Sequence, residues 1–170
     1  MKKKGFTLVE VLIAVTVLVT GITAPVVIAY NSIQASNLSR DQISAYYFAQ
    51  EGIEYIRYIR DTNIVSGRAW LSFTGLCSNG SPCDIISPAR VVDANGDLSN
   101  CGGGTCSPIR YHSGNNIFTS NSGNNTVFTR GITITDRGDE ADVVVVVSWT
   151  TNGRTWSYTL EETMFDWSGT

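Results

Sequence analysis

Apolar residues are concentrated in one stretch near the start of the chain. From Val11 to Ala29 the side chains are almost all aliphatic or small, and none is charged. A helix rises about 1.5 Å per residue, so this stretch is long enough to cross a hydrocarbon core of roughly 30 Å. The pattern predicts a membrane-spanning helix over residues 11–29, with Gly21 and Pro25 favouring a kink.

After this stretch the pattern becomes amphipathic, and charged residues separate apolar ones that recur every three or four positions. This period predicts a second helical segment over residues 30–62, with one face packed on a sheet and its charges forming a solvated face. The predicted apolar face comprises Ile33, Leu38, Ile43, Tyr46, Tyr47, Ala49, Ile53, Ile56 and Ile59.

The last third of the chain has the composition of β-strands, which predicts an antiparallel sheet over residues 126–165. Asn152-Gly153 is typical of a two-residue type I′ hairpin turn. That turn places Trp149 opposite Trp156. One face of the hairpin should then be buried against the helix, and it comprises Val145, Val147, Trp149, Trp156, Tyr158 and Leu160.

The intervening residues 63–125 are rich in glycine, serine and asparagine, which predicts loops with short strands near residues 69–73, 85–92 and 117–118. All four cysteines lie here, and three pairings are possible. Their short separations favour the disulfides Cys77–Cys83 and Cys101–Cys106. A zinc site is the alternative, but five and four residues separate the cysteines of each pair instead of the usual two.

Composition argues against two functional classes. The chain has 12 basic and 15 acidic residues and a net charge of −3, so nucleic-acid binding is not expected. The single histidine, His112, lies in a predicted loop, Glu161 and Glu162 are predicted to be exposed acids, and no catalytic motif occurs. We therefore expect no enzymatic activity and no cofactor.

A weak calcium candidate lies at Asp93, Asn95 and Asp97, whose oxygen-bearing side chains alternate. Leu98 stands where an EF-hand loop needs glycine, and no glutamate closes the loop. A hairpin turn at Asn95-Gly96 accounts for the same residues. We accordingly predict no metal site.

The first ten residues combine three lysines, a glycine and one carboxylate, Glu10, at the edge of the apolar stretch. A secretory signal cleaved before Tyr30 or a simple membrane anchor would explain the apolar stretch but not the carboxylate. A carboxylate in such a segment costs about 2.5 to 3.5 kcal/mol on insertion scales. The next cation in the chain is Arg40, so the partner of Glu10 must come from elsewhere than the helix that follows it.

The residues Lys4-Gly5-Phe6-Thr7-Leu8-Val9-Glu10 resemble the prepilin motif of type IV pilins and type II secretion pseudopilins. The resemblance implies cleavage between Gly5 and Phe6 by a prepilin peptidase that also methylates the new amine. It further implies that this amine pairs with Glu10 of a neighbouring subunit. The implied fold is α+β, with a long N-terminal helix on an antiparallel sheet. The implied division is a leader at residues 1–5, a membrane and polymerisation helix at 6–29, and an extracytoplasmic domain at 30–170.

Residues 49–61 also resemble the end of the long helix in minor pilins, although 64 residues follow Cys106, unlike the short C-terminal disulfide loop of many pilins. The resemblance implies a structural subunit of a pilus or pseudopilus, and the loop-rich middle region favours a minor, tip or initiating subunit over the bulk one. Its implied partners are other pilin subunits, the peptidase, an inner-membrane assembly platform and membrane lipid. It would first span the cytoplasmic membrane with its N-terminus inside, then enter an external filament. The alternative is an anchored or secreted extracellular binding module.

Overall fold

The computed structural model describes residues 5, 7–78, 80–86, 97–102, 104–114 and 116–168. A helix, α1, spans Leu8–Val65, and a 3₁₀ turn spans Thr74–Leu76. The strands are β1 (Cys83–Ile85), β2 (Leu98–Asn100), β3 (Pro108–His112), β4 (Ile117–Thr119), β5 (Asn124–Asp136), β6 (Glu140–Thr151) and β7 (Arg154–Phe165). The chain divides into two compact units, residues 1–40 and 41–170.

The first unit consists of the N-terminal part of α1, and its aliphatic side chains are exposed. By length and composition this helix can cross a membrane. The Thr16 and Thr20 hydroxyls donate to backbone carbonyl oxygens of the preceding turn, at 2.8 to 3.1 Å, so they need no water. The helix continues through Gly21 and Pro25 without interruption.

The second unit confirms the predicted α+β class. Within the described residues, seven antiparallel strands form one sheet, against which the C-terminal part of α1 packs. Strand β6 pairs with one edge of β5 and with β7. The opposite edge of β5 pairs with β1 through Cys83–Ile132 and with β3 through Pro108–Thr129. The sheet therefore forks on this side into a β1–β2 branch and a β3–β4 branch.

The buried face of α1 differs in part from the predicted one. Ile33, Ile43, Tyr46 and Tyr47 are exposed and Leu38 is half-buried, whereas Ala45 and Phe48 are buried. The predicted set combined residues from two adjacent faces of the helix. Apolar residues spaced three and four positions apart do not by themselves show which of these faces is buried. The observed buried positions are Ala45, Phe48, Ala49, Gly52, Ile53, Tyr55, Ile56, Ile59 and Asn63.

Gly52 allows the helix and the sheet to approach closely. A Cβ atom at this position would lie 3.0 and 3.2 Å from the two methyl carbons of Val145 and 3.5 Å from Cδ of Arg130. Any larger residue would therefore force the helix and β6 apart or displace Val145, which is fully buried. Glycine at this point sets the helix–sheet distance over the core.

The β6–β7 hairpin confirms the predicted turn and register. Asn152 and Gly153 both have positive φ, at 53° and 72°, as a type I′ turn requires. Trp149 pairs with Trp156, and Val145 pairs with Leu160. The β6 side of the predicted face is buried, but Trp156 and Leu160 are only half-buried because β7 is paired on one side alone within the described residues.

The middle region confirms both favoured disulfides, Cys77–Cys83 and Cys101–Cys106. The predicted strand at 69–73 is wrong, since these residues lie in turns, although Leu71 and Phe73 are buried. Strand β4 confirms the run at 117–118, and β1 covers Ile85 at the start of the predicted run over 85–92.

Two further predictions for the middle region concern His112 and the calcium candidate. His112 ends strand β3 instead of lying in a loop, because it pairs with Ile117 of β4. Asp93 and Asn95 lie outside the described residues. The backbone N–H of Asp97 donates to the Tyr55 hydroxyl at 3.0 Å, which ties this segment to α1.

Candidate functional site: the N-terminal segment and the buried ion cluster

The predicted cleavage site precedes the first helical residue. Gly5 is exposed, and a Cβ atom placed on it would meet no other group within 4 Å. Phe6, on the other side of the predicted cut, lies outside the described residues. An irregular, open backbone at Gly5 suits a peptidase, which needs its substrate chain extended and free of side-chain obstruction.

Thr7 caps the N-terminus of α1. The backbone N–H of Glu10 donates to Thr7 Oγ1 at 3.3 Å, and the N–H of Val11 donates to the Thr7 carbonyl oxygen at 3.2 Å. Thr7-Leu8-Val9-Glu10 thus has the sequence of a capping box, in which the third helical residue is Glu or Gln. This capping role of Thr7 was not predicted from the sequence. It means that the Thr-x-x-Glu spacing stabilises the start of α1, in addition to any role in assembly.

Glu10 lies on the exposed surface of the first helical turn and forms no ion pair with any residue that the structure describes. A carboxylate in the first turn is favoured by the positive end of the helix dipole, but that effect contributes only about 0.3 to 1 kcal/mol. In an apolar environment this would not offset the cost of the charge. The geometry leaves the carboxylate available to a cation from another molecule.

A buried cluster of charges, which the sequence analysis did not predict, joins α1 to the sheet. Arg130 of β5 is 2% exposed, and its Nε donates to Asp84 Oδ1 of β1 at 2.7 Å. Its Nη1 donates to Glu51 Oε2 of α1 at 2.7 Å and to the Phe48 carbonyl oxygen at 3.3 Å. Burial opposes the guanidinium charge, but attraction to Asp84 and Glu51 outweighs it and raises the pKa of Arg130.

The alternation of residues along β5 contains a sequence signal for this cluster. Arg130 alternates with Phe128, Ile132 and Ile134 on the inward face of β5, a position where an arginine must find a buried partner. The sequence contains many acidic residues, and only the fold selects Asp84 and Glu51 from them.

Glu162 is paired with Arg57 of α1, so the prediction that Glu161 and Glu162 are simply exposed acids is wrong for Glu162. Arg57 Nε donates to Glu162 Oε1 at 2.9 Å, and its Nη2 contacts the second carboxylate oxygen. Hydrogen bonding to Glu162 raises the pKa of Arg57 despite partial burial. The pair connects α1 with β7, at a partly solvated position where such pairs contribute little stability.

Near the C-terminal end of α1, Asp61 accepts hydrogen bonds from Arg60 Nε at 2.8 Å and from Trp167 Nε1 at 3.1 Å. Partial burial works against ionisation of Asp61, but these two hydrogen bonds outweigh it and lower the pKa of the carboxyl group. A lowered pKa stabilises the fold above the unfolded-state pKa of about 3.9, and this contribution is lost as the pH falls through the folded-state value.

We expect Trp167→Phe to raise the pKa of Asp61 toward its ordinary value, because the indole N–H bond to the ionised carboxylate is removed. The measurement is an NMR titration of the Asp61 carboxyl carbon between about pH 2 and 6, a range that brackets ordinary carboxyl values. Trp156→Phe, which changes an indole elsewhere on the sheet, serves as the control. An unchanged titration in the Trp167 variant would contradict the assignment.

Comparison with known proteins agrees with the N-terminal geometry. Residues 1–24 match the family described as the prokaryotic N-terminal methylation motif. No curated protein and no solved structure matches the chain. The matched motif belongs to structural, pilin-type proteins that are processed and assemble with other pilin subunits, not to an enzyme family. Residues 1–24 therefore carry the N-terminal methylation motif of pilin-type precursors, and the long apolar helix on an antiparallel sheet is consistent with a pilin-like α+β fold.

Proposed function

We propose that the chain is a minor subunit of a type IV pilus or pseudopilus that is cut between Gly5 and Phe6, methylated at Phe6 and polymerised through residues 6–29. The observation that carries this proposal is Glu10, the only charged side chain between the leader and Arg40 on an exposed apolar helix. In a filament, the Phe6 amine of a neighbouring subunit supplies the missing cation. Because either charge alone is costly in an apolar environment, the pair sets the register between subunits.

Removal of residues 1–5 changes the charge of the chain. Lys2, Lys3 and Lys4 are its only lysines, so basic residues fall from 12 to 9 against 15 acidic residues, and the net charge falls from −3 to −6. The lysines hold the unprocessed N-terminus on the cytoplasmic side of the membrane. After cleavage the Phe6 amine is the single amine of the chain, and it lies four residues from Glu10.

The globular unit supports a minor, displayed subunit. Its two short disulfide loops and the β1–β2 and β3–β4 branches form an irregular surface stabilised by covalent closure. Disulfides suit an extracytoplasmic location. In this proposal residues 30–170 form the domain outside the membrane, and the partners are other subunits, the prepilin peptidase, the assembly platform and membrane lipid.

Processing can be tested by digesting the chain, isolated from membranes, with a protease that cuts only after lysine. We expect the processed chain to remain uncut and to give an intact mass that begins at Phe6 and includes one extra methyl group. In cells whose prepilin peptidase is catalytically inactive, the chain should keep residues 1–5. The lysine-specific protease should then cut it after Lys4. A mature chain that begins at Tyr30, or one that keeps its leader beside an active peptidase, would contradict the proposal and favour a signal peptide or a simple anchor.

A further inference from the structure

The fork in the sheet leaves a polar cleft between its two branches. The cleft has a volume of about 220 Å³, and its lining includes Asp84, Ser99, Asn100, Ser120 and Asn121. Asp84 and Ser99 are paired across β1 and β2, and Ser120 and Asn121 follow β4. Apart from Asp84, the lining side chains are uncharged, and most carry hydroxyl or amide groups.

Asp84 has unused hydrogen-bonding capacity. The side chain is 4% exposed, and Oδ1 accepts from Arg130 Nε and from the Ile85 N–H at 2.8 Å. The second oxygen, Oδ2, is buried and has no hydrogen-bond partner within the described part of the chain. Buried carboxylate oxygens are normally satisfied, so an orphaned one beside a polar cleft indicates a missing donor.

The charges of the cluster also indicate that a cationic donor is missing. Two carboxylates, Asp84 and Glu51, share the single guanidinium of Arg130, so the ionised cluster carries one excess negative charge. Nearly full burial of Asp84 makes an uncompensated charge there costly. A cationic donor that entered the cleft would neutralise the cluster and satisfy Oδ2 together.

We propose that this cleft binds a primary alkylammonium group, whose N–H donates to Asp84 Oδ2. An ammonium is a compact charge whose three N–H donors can each meet a different acceptor, whereas a guanidinium presents its donors in one rigid plane. Ser120 Oγ donates to the Ile85 carbonyl oxygen at 2.9 Å, so its lone pairs can accept a second N–H, and Ser99 at the rim offers a third acceptor. Asn100 is already engaged with Leu76 and Gly102.

The amine must come from another molecule, because no lysine follows Lys4 in the chain. Two sources share the required chemistry, namely a small alkylamine and a lysine side chain of another protein. This inference does not rest on the proposed filament function, since the cleft lies wholly within residues 84–121 of the globular unit.

The test is ligand-observed saturation-transfer NMR on the full chain in detergent, with n-butylammonium and a blocked Gly-Lys-Gly peptide as probes and n-butanol as the uncharged analogue. We expect saturable binding of both amines and at least about tenfold weaker binding of n-butanol, because the charge pair is lost. Tighter binding of the peptide would point to a protein lysine, and equal binding would point to a small amine. Absence of saturable amine binding, equal binding of n-butanol, or displacement of the amines by calcium at equal concentration would each overturn the proposal.

Two variants locate the site. Asp84→Asn removes the carboxylate charge and is expected to weaken amine binding at least about tenfold. Because it also alters the buried cluster, Ser99→Leu provides an independent block at the rim, and Ser157→Leu, also at an exposed serine of a strand, provides its matched control. Binding that is unaffected by Ser99→Leu, or reduced equally by Ser157→Leu, would contradict binding in this cleft.

Discussion

Replacement of Glu10 by glutamine is expected to abolish incorporation of the processed chain into filaments while preserving the start of α1. Glutamine can fill the third position of a capping box as well as glutamate does, so the cap at Thr7 is retained and only the charge is lost. The Phe6 ammonium of the neighbouring subunit would then have no counter-charge in an apolar environment. Breaking a buried pair costs about 3 to 5 kcal/mol, which lowers incorporation by more than about a hundredfold.

The matched control is Thr7→Ala, which removes the cap at a cost of about 0.5 to 2 kcal/mol but keeps the carboxylate. Both variants are expressed in the organism that makes the filament. Their processing is verified by intact mass, and the chain in sheared filaments is quantified. We expect Thr7→Ala to assemble and Glu10→Gln to remain in the membrane. The reverse result would assign Glu10 to helix capping and remove it from subunit pairing.

Arg130→Met should destabilise the globular unit by about 3 to 5 kcal/mol, because it leaves the buried Asp84 carboxylate without its cation. Methionine retains much of the volume, so the loss reports the charge more than a cavity. At about 2 to 4 °C per kcal/mol for a chain of this size, the midpoint of thermal unfolding should fall by roughly 6 to 20 °C. Circular dichroism of the full chain in detergent measures this change.

Two further variants test the cause of that loss. Arg154→Met, at the exposed β6–β7 turn, should change stability by no more than about 0.5 kcal/mol. The double variant Arg130→Met with Asp84→Asn should recover part of the loss, because the uncompensated carboxylate is gone and Glu51 is partly solvated. A double variant as unstable as the sum of the two single variants would show that packing, not charge, dominates.

Elements whose determinants are local in the chain could be predicted from the sequence. The turn at Asn152-Gly153 requires positive φ at two adjacent residues, a requirement that these two residue types meet, and the register of β6 and β7 follows from it. The disulfides Cys77–Cys83 and Cys101–Cys106 close short loops, so proximity in the chain favoured their pairing. The Glu10 motif and the apolar length of the helix are likewise properties of consecutive residues.

Features that depend on contacts between distant segments could not be predicted in this way. Spacing indicated that α1 is amphipathic, but the row that is buried, with Phe48 and Gly52, depends on how β5 and β6 meet it. The selection of Glu51 and Asp84 as partners of Arg130 has the same origin, since these residues are 79 and 46 positions away.

The sequence by itself determined the N-terminal processing motif, the apolar helix, the hairpin and the class of the fold, because each follows from short-range spacing and composition. Only the tertiary structure decided the forked sheet, the buried charge cluster and the unsatisfied oxygen of Asp84. The physical reason is that burial turns an ordinary acidic residue into one that requires a partner, and burial is a property of the assembled fold.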